Sequence, residues 1–377
     1  MYKLINKSFL IIFISLSFLS LQVFADGCVP CQPKDNDECD LCYEKSINKP
    51  YDQGLAICRG SLPEAYNAPG NVTICDGMQG YVKATFIYWQ APGDYPRLGI
   101  LYNGAAFNPI DVQRLDFSYD YEPGFKVGIG KYYKLDNWNV FLNYTRLHTT
   151  NRFDFTFADT SQAFSTLYLI NTLSGNPLIN FQARWERNID KADLELARLY
   201  YVGRRVILRP FAGVSSHWIS QKYDFLVFNN GAQSASTHAR STSWALGPRF
   251  GMDSEWIFWG NTRVFANLAL SLLYASNKTN ADISDYATAS RDFHLDKERV
   301  RTLRHVEELI IGFGWGSYLA NDRVFFDATI GYETEYFSNT NYYTNYIDDA
   351  IHTTRADIYN PGNLFLHGLI VSARLNF

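Results

Sequence analysis

Beyond Cys75 the chain contains no cysteine: all six (Cys28, Cys31, Cys39, Cys42, Cys58 and Cys75) precede the greater part of its 377 residues. The bulk of the protein is therefore not a disulfide scaffold. Long apolar runs are missing too. Past the N-terminus nothing approaches the roughly 20 apolar residues of a spanning helix, and mean hydropathy is −0.20, which excludes a helical membrane protein. A basic excess is absent: 34 Lys and Arg face 38 Asp and Glu, for a net charge of −4. A nucleic-acid partner would want a basic patch, so none is expected. Methionine is scarce, with 3 residues.

Catalytic signatures are missing as well. There is no Gly-x-Ser-x-Gly elbow, no His-Glu-x-x-His and no Walker A loop. The 7 histidines are scattered. His217 shares a strand phase with Arg205 and Arg209 but has no serine or carboxylate at a defined spacing. Asp292, His294, Asp296, Glu298 and His305 read as a solvated loop rather than a metal site. No catalytic residue, cofactor or metal site is assigned, and a barrel enzyme is the least favoured reading.

What the chain has is aromatics, 16% of residues with 26 Tyr and 27 Phe, arranged with a period of two. From Leu115 to Ile129 the odd positions are apolar or aromatic: Leu115, Phe117, Tyr119, Tyr121, Pro123, Phe125, Val127 and Ile129. The even positions between Arg114 and Gly130 are charged, hydroxyl or glycine. Side chains alternate faces along a strand, so 114–131 reads as one long two-faced strand. Its length suits a membrane-spanning β-barrel. Similar segments fall at 80–89, 137–149, 179–201, 204–225, 240–258, 261–275, 302–317, 322–336 and 363–377. The fold class is thus all-β, an antiparallel transmembrane barrel of ten strands. Twelve is the alternative, because the phase slips at 188–191: Phe181, Ala183 and Trp185 are odd, Leu194 and Leu196 even. A bulge there keeps ten; a turn makes twelve. Long polar connections at 90–113, 151–178, 227–239, 276–301 and 337–362 alternate with short turns, the asymmetry of outer-membrane barrels.

Three parts follow in order. Residues 1–25 read as a signal peptide: Lys3 and Lys7, then the apolar stretch Leu10–Phe18, then Val23-Phe24-Ala25. Export places the cysteines of the segment 26–79 in an oxidising compartment where they usually pair. Cys28-x2-Cys31 and Cys39-x2-Cys42 also have zinc-ligand spacing, and zinc or redox chemistry stays open behind disulfides. Residues 80–377 form the barrel, ending on Phe377. A terminal aromatic in a clean strand is what the barrel-assembly machinery reads in outer-membrane barrels. The place expected is the outer membrane of a Gram-negative bacterium.

The polar phase carries both charge signs. Arg184, Arg209, Arg249 and Arg263 opposite Asp116, Asp120, Asp253 and Glu308 are the expected selectivity set of a water-filled lumen. Charges that pair and fill the barrel are the structural alternative.

The strings 123–130 (PGFKVGIG), Trp138, Asn143-Tyr144-Thr145, 193–198 (DLELAR), 208–213 (LRPFAG), 244–249 (WALGPR) and 269–274 (ALSLLY), in that order, resemble the Legionella-type major outer membrane protein family. That family also occurs in Chlamydia-related bacteria, and 26–79 looks like the extra segment of the chlamydial-type members. The resemblance implies porin-like permeability for small hydrophilic solutes or ions. It also implies outer-membrane lipid as the surrounding partner and disulfide links to other Cys-rich envelope proteins. Homo-oligomerisation is an expectation from porin analogy. A structural or adhesive surface protein is the alternative function. No catalytic residue is carried over.

Overall fold

The computed structural model describes residues 68–377, apart from 73, 75–77, 95–97, 106–107, 134–136, 159–160, 166–172, 175–177, 203–204, 260, 286–290, 321, 342–343, 349–353 and 359–361. The signal peptide and all six cysteines lie outside the described residues. Ten strands form the wall: β1 (Gly80–Gln90), β2 (Tyr121–Tyr132), β3 (Trp138–Thr156), β4 (Ile179–Arg198), β5 (Val206–Asn229), β6 (Ala232–Trp259), β7 (Thr262–Asp285), β8 (Arg291–Leu319), β9 (Val324–Asn341) and β10 (Gly362–Asn376). Each pairs antiparallel with its neighbours in the chain, and β10 pairs with β1 to close the ring. Closure leaves no sheet edge, which hydrocarbon would not tolerate. The seam is bonded to its last residue: the Gly80 N–H donates to the Phe377 carbonyl at 3.0 Å and the Phe377 N–H to the Gly80 carbonyl at 2.9 Å.

The outward face is apolar and exposed, with Phe125, Val127, Leu246, Phe250, Leu268, Leu270, Ile311 and Val371 among its residues. In water such a band would be a liability; against lipid chains it faces its own solvent. Trp138, Trp256, Trp259 and Trp315 mark one rim, and Trp218, Trp244 and Tyr274 the other, as interfacial aromatics do.

Three expectations are corrected. First, β4 contains neither bulge nor turn at 188–191. It runs in unbroken register against β3 and β5. Its odd residues point inward throughout, from Phe181, Ala183, Trp185 and Ile189 to Lys191, Asp193 and Glu195. The phase never slips; the lumen changes from apolar to charged along the strand. Second, 114–131 is not one strand. Asn108–Leu115 pairs with Gly99–Ala105 in a separate small sheet, 116–120 is irregular, and the wall resumes at Tyr121. Phe117 turns inward against Trp185 and Tyr223. An aromatic satisfies either a lipid face or a plugged mouth, so alternation alone could not tell them apart. Third, 227–239 is no loop. Asn230 (φ 52°) and Gly231 (φ 78°) make the hairpin between β5 and β6; Asn-Gly readily adopts the two positive φ values of a type I′ turn. The polar residues around it belong to strands that continue past the membrane.

Glycines on the inner face of β2 are spaces for rings rather than wet positions. A Cβ on Gly128 would lie 2.5 Å from Cζ of Phe141. Gly128→Val is therefore expected to destabilise the barrel by about 1–3 kcal/mol through overpacking. The check is the denaturant midpoint of the gel-mobility shift between folded and unfolded forms, and an unchanged midpoint would mean the ring is free to move.

Candidate functional site

The inner face is layered. At the mouth, the aromatic rings of Phe157, Phe164, Phe181, Tyr223 and Phe225 join Trp185 in a buried cluster. Phe164 stacks on Phe181 with ring centroids 4.4 Å apart, so the short strand Gln162–Ser165 packs against the inner face at the opening. Below it lies a second apolar layer, including Ile87, Trp89, Leu147, Ile189, Ile219, Val306 and Phe337. Below these layers the lumen carries the charged groups, with Tyr81, Phe211, Phe265 and Phe325 buried among them.

Ionic groups there form one chain across the barrel. Lys126 on β2 donates to Glu333 at 2.6 Å and Glu335 at 3.2 Å, both on β9. Lys191 on β4 meets Glu335 at 3.3 Å and Glu308 of β8 at 2.5 Å. Arg249 on β6 forks onto Glu308, its Nη2 lying 3.0 Å from Oε2, and its Nε meets Glu195 at 3.3 Å. Arg209 on β5 continues from Glu195 at 2.9 Å to Asp253 at 2.7 Å. A lower group joins Arg263 and Arg374 on Asp327 at 2.8 and 3.1 Å, beside a cavity of about 110 Å³ lined by Tyr81, Lys83, Arg209, Asp253 and Glu255. Each buried charge needs such a partner, because taking an ion out of water costs several kcal/mol.

Of the expected selectivity residues, Arg209, Arg249, Arg263, Asp253 and Glu308 lie inside and belong to these networks. Arg184, Asp116 and Asp120 do not. Arg184 is on the outward face of β4, paired with Glu186. Asp116 pairs with Arg114 at 2.7 Å in the irregular segment before β2, and Asp120 is exposed there. All three sit where strands emerge from the lipid, so polar side chains mark the aqueous outside as well as the lumen. Lys191, the group that links Glu308 to Glu335, was hidden by the supposed slip at 188–191. The uninterrupted odd phase from Phe181 to Ala197 is the signal that finds it.

The layer is buried. Ser215, His217, Ser271 and Arg304 are 0% exposed and Lys191 is 1% exposed. Glu308, Glu333 and Glu335 bring carboxylate oxygens within 4.8 Å of one another, yet the ammonium groups of Lys126 and Lys191 already occupy the positive role among them. Ser215 is bonded to Asp193 at 2.5 Å and lies 2.8 Å from Nε2 of His217. Register across β4 and β5 makes this trio, which no sequence spacing announced. The hydroxyl proton points at the carboxylate, leaving Nε2 of His217 to donate to Oγ. This is the reverse of what a base-activated serine needs.

The profile described as "Legionella pneumophila major outer membrane protein precursor" matches residues 75–376. No curated relative matches the sequence. Among solved structures, similarity extends to the outer membrane protease OmpT of Escherichia coli, with a TM-score of 0.41, 8% identity, and 79% of this chain and 96% of that one covered. It also extends to a major outer membrane protein of Thermus thermophilus, with a TM-score of 0.27, 9% identity, and 78% and 99% covered. The toluene transporter TodX of P. putida has a TM-score of 0.27 at 8% identity, with 80% and 90% covered.

Proposed function

This chain belongs to the Legionella pneumophila major outer membrane protein family, and on that premise we propose that its barrel is a porin-like passage for small hydrophilic solutes or ions, closed in the state described. Its place is the outer membrane. The observation that carries the proposal is the chemistry of the lumen. A barrel needed only as an anchor is more cheaply filled with apolar side chains, since well-packed apolar replacements of buried ion pairs are often neutral or stabilising. Here a buried layer of the lumen instead holds Lys126, Lys191, Arg249, Glu195, Glu308, Glu333 and Glu335. These groups would be well solvated once water entered. Opening then means exchanging ion pairs for water.

Planar-bilayer recording tests this. Wild-type protein is expected to show brief, small openings. Arg249→Ala removes the guanidinium bridging Glu308 and Glu195, and is expected to raise the open fraction and the preference for cations. Silence from folded wild-type and Arg249→Ala protein alike would reject the passage.

The closely paired, buried state of the same layer favours a second reading, a structural surface barrel. In it the segment 26–79 joins the envelope through disulfides to other Cys-rich proteins. High-mass species that collapse on adding reductant are its expected mark on gels of whole envelopes.

A further inference from the structure

The outward surface immediately beyond the aromatic rim carries an unneutralised cationic patch. Trp218 on β5 lies directly opposite Trp244 on β6, and Trp244 meets Tyr274 of β7 with ring centroids 5.9 Å apart. These rings define where the hydrocarbon ends on this side. Four residues further along the same faces stand Lys222, Arg240 and Lys278, about 13 Å up the strands at 3.3 Å per residue. On β8, Arg301 and Arg299 follow Leu303 on the outward phase. With strands tilted about 35–45° this is a rise of roughly 10 Å above the rings, at the outer side of the headgroup region.

Register makes the patch costly by itself. Lys222 faces Arg240 across one strand pair, and Lys278 faces Arg299 across another. Like charges directly opposed on one face destabilise a sheet. The nearby carboxylates are too few to relieve them: Asp224, Asp282 and Glu186 set three negative charges against these five cations and Arg184. Asp224 is bonded to His238 at 2.7 Å, Asp282 is bonded to His294, and Glu186 is bonded to Arg184 while approaching Lys222 only to 3.9 Å. Arg240, Lys278, Arg299 and Arg301 make no ion pair among the described residues. Four residues lower, at the ring level, the pattern differs: Arg146 on β3 is met at 3.7 Å by Asp190 of β4, which is in register with Trp218. Among the described residues the cations of this patch on β5 to β8 outnumber the carboxylates, and an anion from outside the chain would relieve them.

We propose that Arg240, Lys278, Arg299 and Arg301, with Lys222, bind the phosphate groups of an anionic lipid headgroup in the outer leaflet. The height above the rings selects a lipid-borne phosphate, and arginine suits it through paired N–H donors. The inference rests on the barrel lying in the outer membrane and is independent of whether the lumen conducts.

The test uses the full-length protein in phosphatidylcholine nanodiscs doped with a diphosphorylated glycolipid or its dephosphorylated form. Lipid retained on the protein is then counted by native mass spectrometry. Wild type is expected to prefer the phosphorylated lipid at least about tenfold, in keeping with the pull of several near-surface cations. The variant combining Arg240→Ser, Lys278→Ser, Arg299→Ser and Arg301→Ser is expected to lose that preference. Lys131→Ser, at the other rim, is expected to keep it. If the fourfold variant fails the folding check on gels, Arg240→Ser and Arg299→Ser singly are each expected to reduce the preference. Equal retention by wild type and the variants overturns the assignment, as does a loss in Lys131→Ser equal to theirs. Complete displacement of the glycolipid by millimolar inorganic phosphate would also overturn it, because the patch would then hold a soluble anion.

Discussion

Lys191→Met is expected to destabilise the folded barrel by about 3–5 kcal/mol, the usual cost of stripping one partner from a buried ion pair. Lys191 is 1% exposed and its ammonium stands among Glu308, Glu335 and Asp193 at 2.5, 3.3 and 3.5 Å. Methionine fills nearly the same volume, so the loss is electrostatic rather than a cavity. Three carboxylates would then crowd a buried site, with Arg249 and Lys126 as the remaining cations nearby. Pairing the change with Glu335→Gln removes one of the stranded charges. The double variant is expected to recover part of the loss, a coupling that separates the ionic account from simple misfit. Urea midpoints of the gel-mobility shift for the four proteins of that cycle give the answer. Additive losses in the double variant would mean the two groups do not interact as described.

Leu270→Arg should cost about 2–4 kcal/mol, as for a charge placed on the lipid face near the bilayer midplane. Leu270 lies on the outward face of β7, directly opposite Phe250 on one side and Glu307 on the other, so the change is made in a Glu307→Gln background, where the arginine finds no cross-strand carboxylate. Ser271, its neighbour in the chain, is fully buried beside Arg249, whose Nη1 donates to its hydroxyl at 3.4 Å. Adjacent positions therefore demand opposite chemistry, and the contrast is the sharpest test of which face meets hydrocarbon. Equilibrium folding into vesicles of defined thickness measures it, with Leu270→Ala as the size control. If the arginine variant folds as well as the alanine one, the outward face of β7 is not in lipid, and the membrane placement of the wall fails there.

Much of the architecture is legible in local pattern. Alternation in 240–258 and 261–275 assigns Trp244, Phe250, Leu268 and Leu270 to the outside and Arg249, Asp253 and Arg263 to the inside, and the structure places them so. Short turns on one side and the terminal aromatic strand are equally local. Legibility ends where a residue type serves two environments. Phe117 and Phe181 are as apolar as the lipid-facing residues, yet they plug the mouth. Arg184, Asp116 and Asp120 are as polar as the lumen groups, yet they face bulk water above the membrane.

Sequence by itself determined that this chain builds a closed, two-faced antiparallel wall, because a period of two is a property of neighbouring residues and needs no knowledge of the rest of the molecule. Only the tertiary structure decided that Lys126 meets Glu333 and that Arg249 meets Glu308. It also decided that Lys222 is set against Arg240 on the outside. Those meetings depend on the stagger accumulated around ten strands, a sum of hairpin registers that no single segment carries.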